Sequence, residues 1–171
     1  MRRRYVDEAL SGEGASRYPG RWNHRGVPML YAASHASLAV LEYLANLDVA
    51  TLPDDLVLLR LTLDDDVDRL ERIPDGWNAR PPRDLTRDIG SQWANSRRTL
   101  ALLVPSVVVP IESNMLINPL HPSLSKIDVS PPNNFQVDPR LVEGSGSPYD
   151  ANSARLSGSS TGSTSDGLDV R

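Results

Sequence analysis

Cysteine is absent from the 171 residues, which excludes a disulfide framework and any thiolate metal site. That absence fits a reducing compartment. An excess of basic charge is missing too: 18 Lys and Arg stand against 22 Asp and Glu, a formal net charge of -4. A general nucleic-acid binder neutralises phosphates with a basic surface, so direct nucleic-acid binding is not expected. No apolar run approaches the ~20 residues that span a bilayer, so no membrane partner is expected either. Met1-Arg2-Arg3-Arg4 is basic, but no apolar segment follows it, and it is not read as a signal peptide. The expectation is a cytoplasmic protein of one domain, long enough to bury a core without covalent staples.

What is present divides at about residue 143. Thirteen of the 28 residues in Gly144 to Arg171 are Gly or Ser, and apolar residues are sparse there. Such a segment buries too little surface to offset its ordering entropy, so a disordered tail is expected after a folded domain of residues 1–143. Within the domain, Gly12, Gly14, Pro19, Gly20, Gly26 and Pro28 mark a loop-rich stretch with tight turns. Met29 to Ala32 reads as a strand. Ser34 is placed to cap a helix running to about Leu47, with Leu38, Leu41, Leu44 and Ala45 on one face. Leu56 to Leu63 alternates as a strand, followed by a solvated acidic turn at Asp64 to Asp66. Residues 73–83 are Pro-rich loop, and Leu85, Ile89 and Trp93 at spacing four predict a helix over 84–96. Thr99 to Val104 and Val107 to Val109 read as strands broken at Pro105-Ser106, with shorter strands at Met115 to Ile117 and Phe135 to Val137. Strands outnumber helices and connections are short, which points to an α+β domain with a bent, mainly antiparallel sheet.

Three features carry potential chemistry, and each has a plain alternative. Gly20-Arg21-Trp22-Asn23 combines a close-approach glycine with a planar guanidinium suited to phosphate oxygens, and Trp22 offers a ring contact. The plain alternative is a surface turn with a solvated arginine. Glu42 falls at the edge of the apolar helical face, where a half-desolvated carboxylate can stabilise positive charge or hold a sugar hydroxyl; the alternative is a boundary glutamate. Ser106 sits at the break between apolar strands, either facing a cleft or satisfying a local backbone group. It lacks the G-x-S-x-G setting of a hydrolase nucleophile. His24, His35 and His121 have no ligand spacing with one another, so no metal is expected. Asp64 to Asp68 lacks the glycine and terminal glutamate of a calcium loop, and Gly12-x-Gly14 lacks the strand-to-helix setting of a dinucleotide fingerprint.

The ordered set of these segments resembles the RES domain. The resemblance runs through Ser11-Gly12-Glu13-Gly14-Ala15, Gly20-Arg21-Trp22-Asn23, Leu30-Tyr31-Ala32-Ala33 and Leu41-Glu42. It continues through Leu103-Val104-Pro105-Ser106, Asn114-Met115-Leu116-Ile117-Asn118-Pro119 and Phe135 to Leu141, covering about residues 10–142. The arginine, glutamate and serine that name the family look like Arg21, Glu42 and Ser106. The segment before Ser11 is short for the family, and the tail after Glu143 has no counterpart in it.

The resemblance implies an ADP-ribosyltransferase-like fold and the toxin half of a bacterial toxin–antitoxin pair. It implies degradation of NAD+ at the nicotinamide–ribose bond, with inorganic phosphate or water as acceptor and no cofactor besides these substrates. Modification of a protein target, or a catalytically weak module that only binds an antitoxin, are the alternatives. The implied partner is an Xre-type helix-turn-helix antitoxin, through which an oligomer would form. On this reading Arg21 takes the pyrophosphate or an incoming phosphate, and Glu42 holds a ribose hydroxyl and stabilises the cationic ribose. Tyr31 packs on nicotinamide or hydrogen-bonds near it. Ser106 and Asn118 orient the ligand, and Trp22 supplies a ring contact.

Overall fold

The computed structural model describes residues 1–47, 52–64 and 66–142. The chain divides into two compact units, Met1–Gln136 and Val137–Arg171. In the second unit the described part is a short 3-10 turn, Pro139–Leu141, whose first free N–H, on Arg140, donates to the Asp138 carboxylate. The expected boundary after Glu143 and the Gly/Ser-rich tail lie outside the described residues. No helix among the described residues is long and apolar enough to cross a membrane.

The first unit is α+β. Its elements are α1 (Glu13–Arg17), β1 (Leu30–Ala33), α2 (Ala36–Ala45), β2 (Val57–Leu58), β3 (Leu61–Thr62), β4 (Val67–Arg69), α3 (Asp84–Ser96), β5 (Ala101–Pro105), β6 (Ser113–Ile117), β7 (Asp128–Val129) and β8 (Asn133–Asn134). The main sheet has the order β1-β6-β5-β4. Its β1-β6 and β5-β6 pairs are antiparallel and β4 runs parallel to β5. The register aligns Tyr31, Leu116 and Leu102 in one row, and Ala33, Asn114 and Val104 in the next. Residues in such rows share a face. That face packs Leu102, Val104 and Leu116 against Trp22, Met29, Trp93 and Ala94. The opposite face packs Ala101 and Ile117 with Leu30, Leu61, Leu124 and Ile127.

Several expected elements form differently, and the reasons are local. The strand expected over Leu56 to Leu63 is split into β2 and β3, which pair with β8 and β7 respectively. The partner segment passes through Pro131-Pro132, which have no N–H to continue a ladder. Ser130 bridges the gap, its N–H donating to Arg60 O and its hydroxyl accepting from Arg60 N. Val107 to Val109 is a turn instead of a strand. The Ser106 hydroxyl accepts from Val108 N and Val109 N, which curls the chain back toward β6. Ser34 does not cap α2: His35 is the N-cap, without a side-chain capping bond, and the Ser34 hydroxyl meets His35 Nδ1 instead. Of the apolar face expected on α2, Leu38 is buried while Leu41 is exposed. No strand forms over the expected Phe135 to Val137; the short strand there is Asn133–Asn134, just before it. Asp66, expected in a solvated turn, accepts the Leu100 N–H that opens β5.

Helix α3 has the expected bounds, but its buried stripe is Thr86, Gly90, Ser91, Trp93 and Ala94, and Leu85 is exposed. Trp93 and Ala94 join the core on this face, while at Gly90 the helix lies directly against the backbone of Trp22. A Cβ at Gly90 would sit 1.9 Å from Trp22 O and 2.8 Å from Trp22 C. Gly-to-Ala inside a helix ordinarily gains about 1 kcal/mol in propensity. Here the sign reverses: Gly90→Ala should destabilise the fold by about 1–3 kcal/mol or more, because the added methyl must displace backbone. Urea or thermal unfolding of the variant against wild type reads this directly.

Candidate active site

The loop before β1 is organised by Asn23, which is fully buried. Its Oδ1 accepts from Gly20 N (2.9 Å) and from the Tyr31 hydroxyl (2.8 Å). Its Nδ2 donates to the carbonyls of Ala15, Val27 and its neighbour His24. The Tyr31 oxygen in turn accepts from Trp22 N at 3.0 Å. Burial pushes the Tyr31 hydroxyl pKa up, so it stays a donor to Asn23. Gly20 has to be glycine, since a Cβ there would lie 2.6 Å from the Tyr31 oxygen. With its hydroxyl committed, Tyr31 still leaves 42% of its surface exposed, and it lines a cavity.

Glu42, on the second turn of α2, is held by the β5–β6 hairpin. Its Oε1 accepts from the Ser106 hydroxyl at 2.7 Å and from Asn114 Nδ2 at 2.6 Å. Its other oxygen has no hydrogen-bond partner among the described residues. Ser106 is fully buried and works on both sides: it accepts from two backbone N–H groups and donates to the carboxylate. The local-backbone reading of Ser106 therefore holds, and it does not itself line the cavity but meets the lining residue Glu42 from behind. Asn114 is a site residue that spacing did not single out. Its signal was its place in β6, directly across from Ala33 and Val104.

Arg21 is partly buried, and its Nη1 donates to Trp77 O (2.6 Å) and Ala79 O (2.9 Å). Burial lowers its pKa first, and the nearby Arg80 and Arg87 add to this, while Glu42 and Tyr31 oppose it. An arginine remains charged under such pressure. Arg21, Tyr31, Glu42 and Asn114 line one cavity of about 1070 Å³, together with Arg80, Arg87 and Phe135. That volume suits a ligand of cofactor size. Arg80 and Arg87 were also missed, because nothing in a Pro-rich loop or on a helix start marks a functional arginine.

Two expected site residues stand elsewhere. Trp22 borders the cavity but is 2% exposed, and its ring packs in the core with Met29 and Trp93 rather than facing a ligand. Burying an indole contributes more to a core than to a rim. Asn118 is fully buried, donating to Ala94 O at 2.7 Å and accepting from Leu120 N at 3.0 Å. It ties the end of α3 to the segment after β6 and does not line the cavity.

The RES domain family model matches residues 1–138. The chain is 41% identical over 146 residues to the Prs ADP-ribosylating toxin of Sphingobium sp. (strain YBL2), a match that covers 82% of this chain and 91% of that protein. It is 38% identical over 146 residues to Toxin Res of Photorhabdus laumondii, covering 83% of this chain and 94% of the relative. It is 38% identical over 143 residues to Toxin Res of Yersinia enterocolitica, covering 81% and 94%. The chain belongs to the RES domain family.

Proposed function

We propose that this chain is a toxin enzyme that cleaves the bond between nicotinamide and ribose in NAD+, with phosphate or water accepting the ADP-ribosyl group. The observation that carries this reading is Glu42, which lines a cavity that also presents guanidiniums and is held through one carboxylate oxygen by Ser106 and Asn114, the other having no partner among the described residues. NAD+ has the matching polarity, an anionic diphosphate and a cationic nicotinamide on one ribose.

The chemistry asks for little covalent help. The C1′–N bond breaks, its electron pair leaves with the nicotinamide nitrogen, and nicotinamide departs neutral. The ribose is left oxocarbenium-like, as in glycoside cleavage. Glu42 accepts a ribose hydroxyl on its free oxygen and stabilises the cation. Ser106 and Asn114 fix its position before the reaction begins, which is where electrostatic catalysis gains most. Arg21 offers its remaining N–H groups to phosphate. The Tyr31 ring packs on nicotinamide, since its hydroxyl is already engaged twice.

A second reading is transfer of the ADP-ribosyl group to a protein. It is favoured by the name of the 41% identical relative, an ADP-ribosylating toxin. The same cation-stabilising site serves all three acceptors. Mass spectrometry of the product separates them: ADP-ribose 1-phosphate means phosphate, ADP-ribose means water, and label on protein means transfer. We further propose a cytoplasmic protein restrained by an Xre-type antitoxin, because a cell cannot tolerate an unrestrained drain on its NAD+.

Two variants test the assignment by release of nicotinamide from NAD+. Glu42→Gln keeps the shape and removes the charge, and should lower kcat by about 100-fold or more. Activity within a few-fold of wild type would sink the mechanism. At Tyr31 the two substitutions should part. Tyr31→Phe keeps the ring and should retain most of kcat while losing about 1–2 kcal/mol of stability, read by urea unfolding. Tyr31→Ala should lose activity by an order of magnitude or more. Equal loss by both would place the hydroxyl, not the ring, in the chemistry.

A further inference from the structure

We propose that Arg80 and Arg87 form an anion subsite on the side of the cavity that carries Arg21, and that this subsite takes the diphosphate of the dinucleotide. The inference rests on the NAD+ reading and adds a binding site to it. Arg80 lies near the end of the 73–83 loop, is exposed, lines the cavity and has no hydrogen bond or ion pair among the described residues. Arg87 lines the same cavity from the first turn of α3. It spends its Nε on a long contact with Gly20 O (3.4 Å) and its Nη1 on Asp84, an exposed partner at 3.2 Å. Its Nη2 is without a partner among the described residues.

The loop that brings Arg80 here is fastened at two points. Trp77 packs against the core, and Arg21 Nη1 holds Trp77 O and Ala79 O, one residue before Arg80. Arg21 is thus a positioning residue for this subsite, whatever its other N–H groups touch. Three guanidiniums line the cavity against the one carboxylate of Glu42. Like charges so close repel, and Arg80 and Arg87 both depress the pKa of Arg21 after the effect of its burial. A doubly charged diphosphate relieves that crowding, and forked guanidiniums match its oxygens pairwise. Glu42 and the Tyr31 ring remain for the sugar and nicotinamide.

The test is calorimetric titration of the full chain with ADP and with adenosine, alongside NAD+ kinetics. Arg80→Gln removes an exposed side chain without a partner, so folding is not at risk. It should weaken ADP binding about tenfold or more and leave adenosine binding unchanged. In turnover it should raise KM for NAD+ more than it lowers kcat. Arg80→Lys should recover part of the loss, and Arg87→Gln should act in the same direction as Arg80→Gln. Wild-type affinity for ADP in both glutamine variants would overturn the subsite. So would an unchanged ADP affinity with a shifted dependence of the rate on inorganic phosphate, which would give these arginines to a phosphate acceptor. If the wild type binds ADP through Arg80 but releases no nicotinamide, the subsite stands and the cleavage reading falls.

Discussion

The buried amide of Asn23 is the constraint on which the site depends. Five hydrogen bonds converge on it, from a loop that would otherwise have no regular ladder to satisfy its backbone. Each bond contributes about 1 kcal/mol net, whereas each partner orphaned in a buried place costs about 1–3 kcal/mol, so the loop has one arrangement in which the accounts of donors and acceptors close. In that arrangement the backbone of Trp22 enters the core, and α3 approaches it closely enough that only glycine fits at position 90. Arg21, between the anchored Gly20 and the buried Trp22, then has a fixed origin from which to reach the carbonyls of residues 77 and 79. Loop, helix and cavity wall follow from one side chain.

The carboxylate is positioned by a different device. Ser106 closes β5 and Asn114 opens β6, so both donors to Glu42 Oε1 come from one hairpin. Glu42 itself sits on a helix that buries only Leu38 fully and has no side-chain cap. Such a helix is weakly anchored by packing. The two hydrogen bonds refer the carboxylate to the sheet instead, where β6 is bonded on both sides. The carboxylate is thus fixed by hydrogen bonds from the sheet side as well as by its own helix.

Much of the frame was legible in the residues. Apolar spacing located α3 with its observed bounds, and the strands β1, β5 and β6 stand where the apolar runs are. The split of Leu56 to Leu63 was not, because its cause lies in Pro131-Pro132, some 70 residues away in the partner strand. Of the apolar series on α3, Ile89 and Trp93 do pack at the core and only Leu85 is exposed; what spacing did not reveal is Gly90, where the helix meets the backbone of Trp22. Arg21, Glu42 and Ser106 were recognisable as an ordered set, though each alone had an ordinary explanation. Asn114 was not, since its role exists only once the register sets it beside Glu42. Trp22 and Asn118 were misplaced for a shared reason: an aromatic or an amide near a motif resembles a ligand contact, and burial is a property of the fold.

The choice of donors to Glu42 has an electrostatic logic. Three arginines line the same cavity, and any of them could in principle have held the carboxylate more strongly than a serine and an asparagine do. On the proposed function, a guanidinium paired with Glu42 would offset the charge that a ribosyl cation needs. Neutral donors fix the oxygen and leave the charge. Two of the three are held by other attachments: Arg21 by the carbonyls of residues 77 and 79, and Arg87 by Gly20 O and Asp84. Negative and positive poles are therefore kept apart within one cavity, at the expense of repulsion among the guanidiniums. A ligand that carries both signs in the complementary order relieves that repulsion at one end and meets an uncancelled carboxylate at the other, which is the differential stabilisation a bond-breaking site requires.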